Sequence, residues 1–286
     1  MYKAGKDLFQ PKRIVMDARL QRRIQRYGWD KAASYYAQYW QKQLEPAQTR
    51  LITAAHLVAG ESVLDIACGS GFFTFRILEM VMPGGSVLGT DISDGMISIA
   101  RKAAEENRLS QVSFERMEAE ELSVPDESFD VVICSLGLMY VTDSKKVIEE
   151  MYRSLKPGGR MAALVWGERE QCGWADIFPI VDARVASEVC PMFFQLGTNE
   201  ILKMIMGNAG FKNIKMERFK SDLSYHSADE ACGAAFVGGP VAMAYSRFNE
   251  ETKMDAQSEY LVSIEPYRNG TGYRVPGEFV ICVGYK

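Results

Sequence analysis

The stretch from Val63 to Thr74, VLDIACGSGFFT, limits what this chain can fold into more than any other. An apolar run ends in an acid, breaks into the small-residue turn Gly69-Ser70-Gly71, and gives way at once to a new amphipathic run. That order predicts a buried strand, a tight loop and the N-terminus of a helix. Glycine lets the backbone take positive φ and approach a ligand closely. The helix start adds free N–H groups and the positive end of a dipole. Such a turn is a site for a nucleotide-type ligand.

A dinucleotide fingerprint would continue as G-x-G-x-x-G, but Thr74 stands where the third glycine belongs. A second apolar run, Val87 to Ile92, carries Asp91 twenty residues after Gly71. That offset suits a carboxylate gripping ribose hydroxyls. NAD and S-adenosylmethionine both carry an adenosine ribose, so Asp91 does not separate them. Asp65 does: an acid just before the glycine loop repels a pyrophosphate, yet can order a loop facing the cationic amino-acid end of S-adenosylmethionine.

The chain here resembles the class I S-adenosylmethionine-dependent methyltransferases. VLDIACGSGFFT is similar to their first motif and VLGTDIS, from Val87, to their second. Met117 to Leu122 resembles the adenine-side segment, with Glu118 where Asp is more usual. Phe129 to Ser135 looks like the fourth strand, and Leu155 to Arg160 like the loop leading to the fifth. The resemblance covers Val63 to Val165 and points, within the superfamily, to the small-molecule group containing the ubiquinone/menaquinone-biosynthesis methyltransferases.

The resemblance implies a Rossmann-like α/β fold. Its seven-stranded, mostly parallel sheet carries helices on both faces, an antiparallel last strand and helical lid insertions. It implies S-adenosylmethionine as cofactor and SN2 methyl transfer to a small acceptor. Gly69, Gly71 and Ala67 would bring backbone to the cofactor, and Asp65 would order the loop or face the methionine amino group. Asp91 would hold the ribose. Ile92 and Met96 would flank the adenine, Glu118 and Ala119 would meet its edge, and Ser135 would sit under the methionine portion. Tyr36 has the spacing of the family's N-terminal tyrosine, which closes over the cofactor; Tyr35 and Tyr39 are substitutes. For each, ordinary turn, cap or core packing is the bland alternative.

Two residues are candidate general bases. His226 follows the sixth strand and could deprotonate a phenol or enol, since a near-neutral pKa suits that task. Tyr140, after the fourth strand, is the other acceptor-side candidate. His56 lies in an apolar helical run and reads as structural. The large apolar residues from Trp166 to Phe194, with Met243 and Tyr245, either line a pocket for a flat, lipophilic or aromatic acceptor or form a core for extra helices.

Strands and helices alternate from the first motif to about residue 167, as in a parallel doubly wound sheet. Residues 1–28 read as an N-terminal extension and residues 29–286 as the methyltransferase domain, with helical cover segments near 168–197 and 227–268. Trp29 to Val58 reads as helical, divided at Pro46. A chain of 286 residues, 47% hydrophobic, can bury such a core. The net charge of −4 gives no footprint for nucleic acid. The local cluster Lys12, Arg13, Arg19, Arg22, Arg23 and Arg26 reads as a solvated helix face or as a contact for an anionic surface. No apolar run is long enough for an integral membrane segment, and no signal peptide is visible. Six cysteines without C-x-x-C spacing read as reduced core residues of a cytoplasmic protein, without a metal site. The motifs encode neither the acceptor atom nor the oligomeric state. Two rivals remain at this point: a non-catalytic protein that binds S-adenosylmethionine, and a nucleotide-dependent oxidoreductase.

Overall fold

The computed structural model describes residues 18–186, 189–190 and 192–286. Lys12 and Arg13, and most of the expected N-terminal extension, lie outside the described residues. The chain opens with α1, Ala18–Ala55. Strands and helices then alternate: β1 Ser62–Ile66, α2 Phe72–Val81, β2 Ser86–Asp91, α3 Asp94–Glu106, β3 Val112–Arg116, β4 Phe129–Ser135, α4 Ser144–Ser154 and β5 Leu155–Trp166. The remainder holds α5 Ile177–Asp182, α6 Ile201–Asn208, β6 Lys212–Tyr225, α7 Ala228–Cys232, α8 Ala242–Tyr245, α9 Glu250–Ile264, β7 Arg268–Asn269 and β8 Gly272–Tyr285.

The sheet order is β3-β2-β1-β4-β5-β8-β6. β1 to β5 are parallel, and β8 runs antiparallel to both β5 and β6. Seven strands form the continuous sheet, as the sequence predicts; the two-residue β7 adds a small hairpin on β8. The central strands read as near-continuous apolar runs because helices cover both their faces. Val63, Leu64, Val131, Val132 and Ile133 are accordingly fully buried. Strand order reverses between β1 and β4, which opens a crevice at the carboxyl ends of the strands.

Helix starts follow their caps. Ser93 accepts a hydrogen bond from the Met96 N–H, and Asp143 accepts from Lys145 and Lys146. The expected break at Pro46 is absent: α1 runs through Pro46, and also across positions 28–29. Proline removes one helical hydrogen bond. The cost is offset because Leu44, Ala47 and Leu51, on both sides of it, are buried in the core. α1 thereby lies over the carboxyl ends of the strands and packs on α3 and α8. Two of its arginines are not a free basic face: Arg22 pairs with Glu118 and Arg26 with Asp94.

Candidate active site

Asp65 is the next-to-last residue of β1 and Asp91 the last of the neighbouring parallel β2, so both lie near the carboxyl ends that open on the crevice; the register pairs Asp65 with Gly89, two residues before Asp91. Both are buried, and each accepts hydrogen bonds from the chain around it. The Thr74 hydroxyl donates to Asp65 Oδ2 at 2.6 Å. The residue that breaks the dinucleotide pattern is therefore the partner of the acid before the loop. Asp91 Oδ2 accepts from the Gly69 N–H at 2.9 Å, and its Oδ1 accepts from the Ser93 N–H at 2.9 Å. One carboxylate thus ties the glycine loop to the start of α3, with lone pairs left over for a ligand hydroxyl.

Burial pushes the Asp65 carboxyl up to about 7, against the lowering effect of the Thr74 hydrogen bond. Burial likewise pushes Asp91 up to about 6, against the Ser93 and Gly69 hydrogen bonds. Two acids held near neutrality in a cleft mark a functional site on physical grounds.

The loop itself is wound left-handed. Ala67 has φ 57°, Gly69 φ 56° and Gly71 φ 83°. For alanine that conformation is strained, and such strain gathers at functional sites. Its β-carbon is accommodated because residue 137 is glycine: a β-carbon there would come within 2.4 Å of Ala67 Cβ. Gly69 and Gly71 differ in kind. A β-carbon on Gly69 would meet nothing within 4 Å, whereas one on Gly71 would meet the Phe114 ring at 2.9 Å. Gly69 faces open space; Gly71 makes room for core packing.

A cavity opens over these residues. One side is lined by Ala67, Gly69, Asp91, Ile92, Met96, Met117 and Ala119, and the other by Trp29, Tyr140, Trp166, Trp174, Phe193 and Pro240. Tyr36 lies on its wall, and Ser135 forms part of its floor. A smaller adjoining compartment is lined by Tyr36, Gln48, Asp65, Cys68, Gly69, Ser70 and Ser135. The sequence-expected cofactor residues Tyr36, Asp65, Ala67, Gly69, Asp91, Ile92, Met96, Ala119 and Ser135 are thus brought together.

Three expected site residues, Gly71, Glu118 and His226, are placed otherwise. Gly71 caps α2 and packs toward Phe114. Glu118 turns to Arg22 and Arg116, and Glu120 lines the cavity in its place, held by the backbone and hydroxyl of Thr142. His226 is exposed and does not line the cavity; its N–H donates to Glu230. That position, just past the end of β6, leaves it off the cavity wall. Tyr140 does line the cavity, between the rings of Trp29 at 5.0 Å and Phe193 at 5.4 Å. Burial raises its phenol well above the ordinary tyrosine value, which keeps the hydroxyl protonated and makes it a poor general base.

Of the substitutes for Tyr36, Tyr35 is exposed and Tyr39 packs against Gly233. Trp166, Trp174 and Phe193 serve the pocket, while Phe178 and Phe194 pack behind them as core. Met192 is exposed, and Tyr245 bonds to Gln257 outside the cavity. Both bland and sharp readings of this aromatic segment are therefore true of different residues. Sequence reasoning missed Trp29, Trp40, Gln48, Glu120 and Pro240. A buried Gln48 on α1 had a signal, since it faces inward four residues after Leu44, another buried position.

Residues 57–177 match the model of a family described as a methyltransferase domain. A demethylmenaquinone methyltransferase of Listeria welshimeri is 38% identical over 119 residues, 42% of this chain and 50% of that protein. The corresponding protein of Oceanobacillus iheyensis is 31% identical over 176 residues, 56% of this chain and 74% of that one. This chain spans about half the length of several curated relatives that it matches.

Among solved structures, a Haemonchus contortus phosphoethanolamine N-methyltransferase in complex with S-adenosyl-L-methionine is similar with a TM-score of 0.61. Identity is 16%, covering 90% of this chain and 57% of that one. The [4+2]-cyclase SpnF matches with a TM-score of 0.56 and 19% identity, covering 86% and 82%. A fold shared by a methyltransferase and a cyclase shows architecture, not reaction. Motif order, register and relatives together show that this chain belongs to the class I S-adenosylmethionine-dependent methyltransferases.

Proposed function

We propose that the protein binds S-adenosylmethionine and transfers its methyl group to a flat, lipophilic or aromatic small molecule. The observation that carries this reading is the junction of two unlike surfaces in one cavity: the Asp91–Gly69 cradle on one side and the Trp29–Tyr140–Trp174–Phe193 wall on the other.

The residues fit the cofactor. Asp91 keeps acceptor capacity for ribose hydroxyls, and Ile92, Met96 and Met117 offer apolar faces to an adenine. Gly69 leaves the space that a side chain would fill. The small compartment beside Asp65 is polar and contains a buried amide oxygen, Gln48 Oε1, that has no hydrogen-bond partner among the described residues. When bound, S-adenosylmethionine supplies an electrophilic methyl group on a sulfonium. The chain's own contribution is to hold the acceptor in line, through aromatic faces, and to exclude water. The acids on the cavity wall, Asp91 and Glu120, are committed to Gly69, Ser93 and Thr142, and the acceptor side carries no histidine. Transfer therefore suits an acceptor that arrives nucleophilic, and positioning outweighs base catalysis.

Acceptor screening begins with demethylmenaquinone, the compound named for the Listeria and Oceanobacillus relatives, and extends to phenols and to small amines. We place the reaction in the cytoplasm: the six cysteines are free, five of them buried, which suits a reducing compartment. Among the described residues, no helix is long and apolar enough to cross a membrane. The test is calorimetry with S-adenosylhomocysteine and NADH in parallel, followed by transfer of labelled methyl from S-adenosylmethionine. Binding of S-adenosylhomocysteine alone, with label entering the aromatic compounds, supports the reading. Binding of NADH alone overturns it in favour of an oxidoreductase. Tight cofactor binding without turnover on any acceptor favours the regulatory alternative.

A further inference from the structure

Gln48 lies on α1, outside every motif, yet it is 7% exposed and lines the small compartment beside Asp65. Its amide nitrogen donates to the Ser135 hydroxyl at 3.4 Å. Its amide oxygen is buried with no partner among the described residues. A buried acceptor left in that state is costly, so its retention calls for a donor that comes from outside the chain. The compartment has the character for a cationic donor. Its polar wall includes the Asp65 carboxylate and the Ser70 and Ser135 hydroxyls, and among the described residues no lysine or arginine lines it.

We infer that Gln48 is a binding residue for the α-ammonium group of the cofactor's amino-acid arm, with Asp65 as the facing charge. This rests on the S-adenosylmethionine reading above. It gives α1 a part in recognition as well as in covering the site. The helix carries Tyr36 and Gln48 twelve residues apart, and both line this compartment. The register of α1 then decides whether the amino-acid arm is read.

Two ligands and two variants separate this inference from the reading beneath it. S-adenosylhomocysteine carries the amino-acid arm; 5′-methylthioadenosine shares the adenosine and lacks the arm. Affinity of each is measured by calorimetry on the full chain. Gln48→Leu keeps the side-chain bulk and removes the acceptor. It should weaken S-adenosylhomocysteine about tenfold, as expected for a hydrogen bond to a charged group, and leave 5′-methylthioadenosine within twofold. Gln48→Glu places a carboxylate at the same point and should hold or tighten S-adenosylhomocysteine. Equal loss of both ligands in Gln48→Leu would mean a purely structural role and overturn the inference. Loss of S-adenosylhomocysteine alone in Gln48→Glu would mean that the arm's carboxylate, not its ammonium, faces this residue, and overturns it as well. If neither ligand binds the unaltered protein, the cofactor reading itself fails, which is a different result from either of these.

Discussion

The two walls of the cavity are built on opposite principles. The cofactor wall comes from loops that follow consecutive strands, and its key contacts are backbone N–H groups fixed by one carboxylate. The acceptor wall is assembled from α1, the β4–α4 loop, the end of β5 and the cover segments, and its contacts are ring against ring. The first wall is short-range and polar; the second is long-range and apolar. Damage to the first should therefore appear in ligand affinity, and damage to the second in stability and acceptor handling.

The sharpest test of that contrast is Trp174→Ala. Trp174 is 4% exposed and touches Trp40, Trp166, Phe178, Phe193 and Phe194. Its loss should destabilise the fold by about 3–5 kcal/mol, the range for a buried tryptophan. Denaturant unfolding measures this. In the folded fraction, affinity for S-adenosylhomocysteine should stay within threefold of the original. A large affinity loss would show that the walls are energetically one unit.

Asp91→Ala is the converse. It removes the proposed ribose acceptor and orphans the N–H groups of Gly69 and Ser93. S-adenosylhomocysteine should bind about 1.5–3 kcal/mol more weakly, the scale of hydrogen bonds to a charged group. Calorimetry that returns an unaltered affinity would take Asp91 out of the site.

The two acids also predict a pH dependence. Asp65 and Asp91 have folded-state values near 7 and 6, above the unfolded value of 3.8. The folded protein then binds more protons than the unfolded chain between about pH 4 and 7, so these groups make stability fall as pH rises through that window. Below the unfolded value their effect vanishes, and above 7 the cost is complete. Asp65→Asn should lessen this fall by one to a few kcal/mol, read from melting curves between pH 5 and 8. Identical pH slopes in the two proteins would mean that the Asp65 carboxyl is not raised by burial.

A pair of glycine variants tests the loop from within. Gly71→Ala combines strained φ with a clash at Phe114 and should cost about 1–3 kcal/mol of stability. Gly69→Ala carries the φ penalty alone, about 1 kcal/mol, while its methyl group projects into the cavity and weakens S-adenosylhomocysteine. If Gly71→Ala proves the milder for the fold, the packing distinction between the two positions is wrong.

How much of this was legible follows from the same contrast. The alternation of strands and helices up to about residue 167 was readable, and the caps at Ser93 and Asp143 are formed by side chains next to the helices they start, because alternation and capping are local physics. Asp91 and Gly69 were readable because one turn and one strand end place them. Trp29, Gln48 and Pro240 were not, since their neighbours in space lie far away in sequence. Pro46 misled for the same reason: propensity argues a break, and tertiary burial of Leu44, Ala47 and Leu51 overrides it. Glu118 misled more subtly. The spacing offered its carboxylate to an adenine edge, and Arg22 of α1 pairs with it instead.

His226 gives the smallest expected effect and the most direct check on what the acceptor wall lacks. It was the attractive base on the sequence, yet it sits exposed and outside the cavity with its backbone engaged by Glu230. His226→Ala should change stability by less than about 0.5 kcal/mol, as for an ordinary surface site. Cofactor affinity and the pH profile of methyl transfer should both be unmoved. If the profile instead loses a limb near neutral pH, the acceptor wall does reach β6. The cavity would then close further around its substrate than the aromatic wall alone implies, and base catalysis would join positioning in the mechanism.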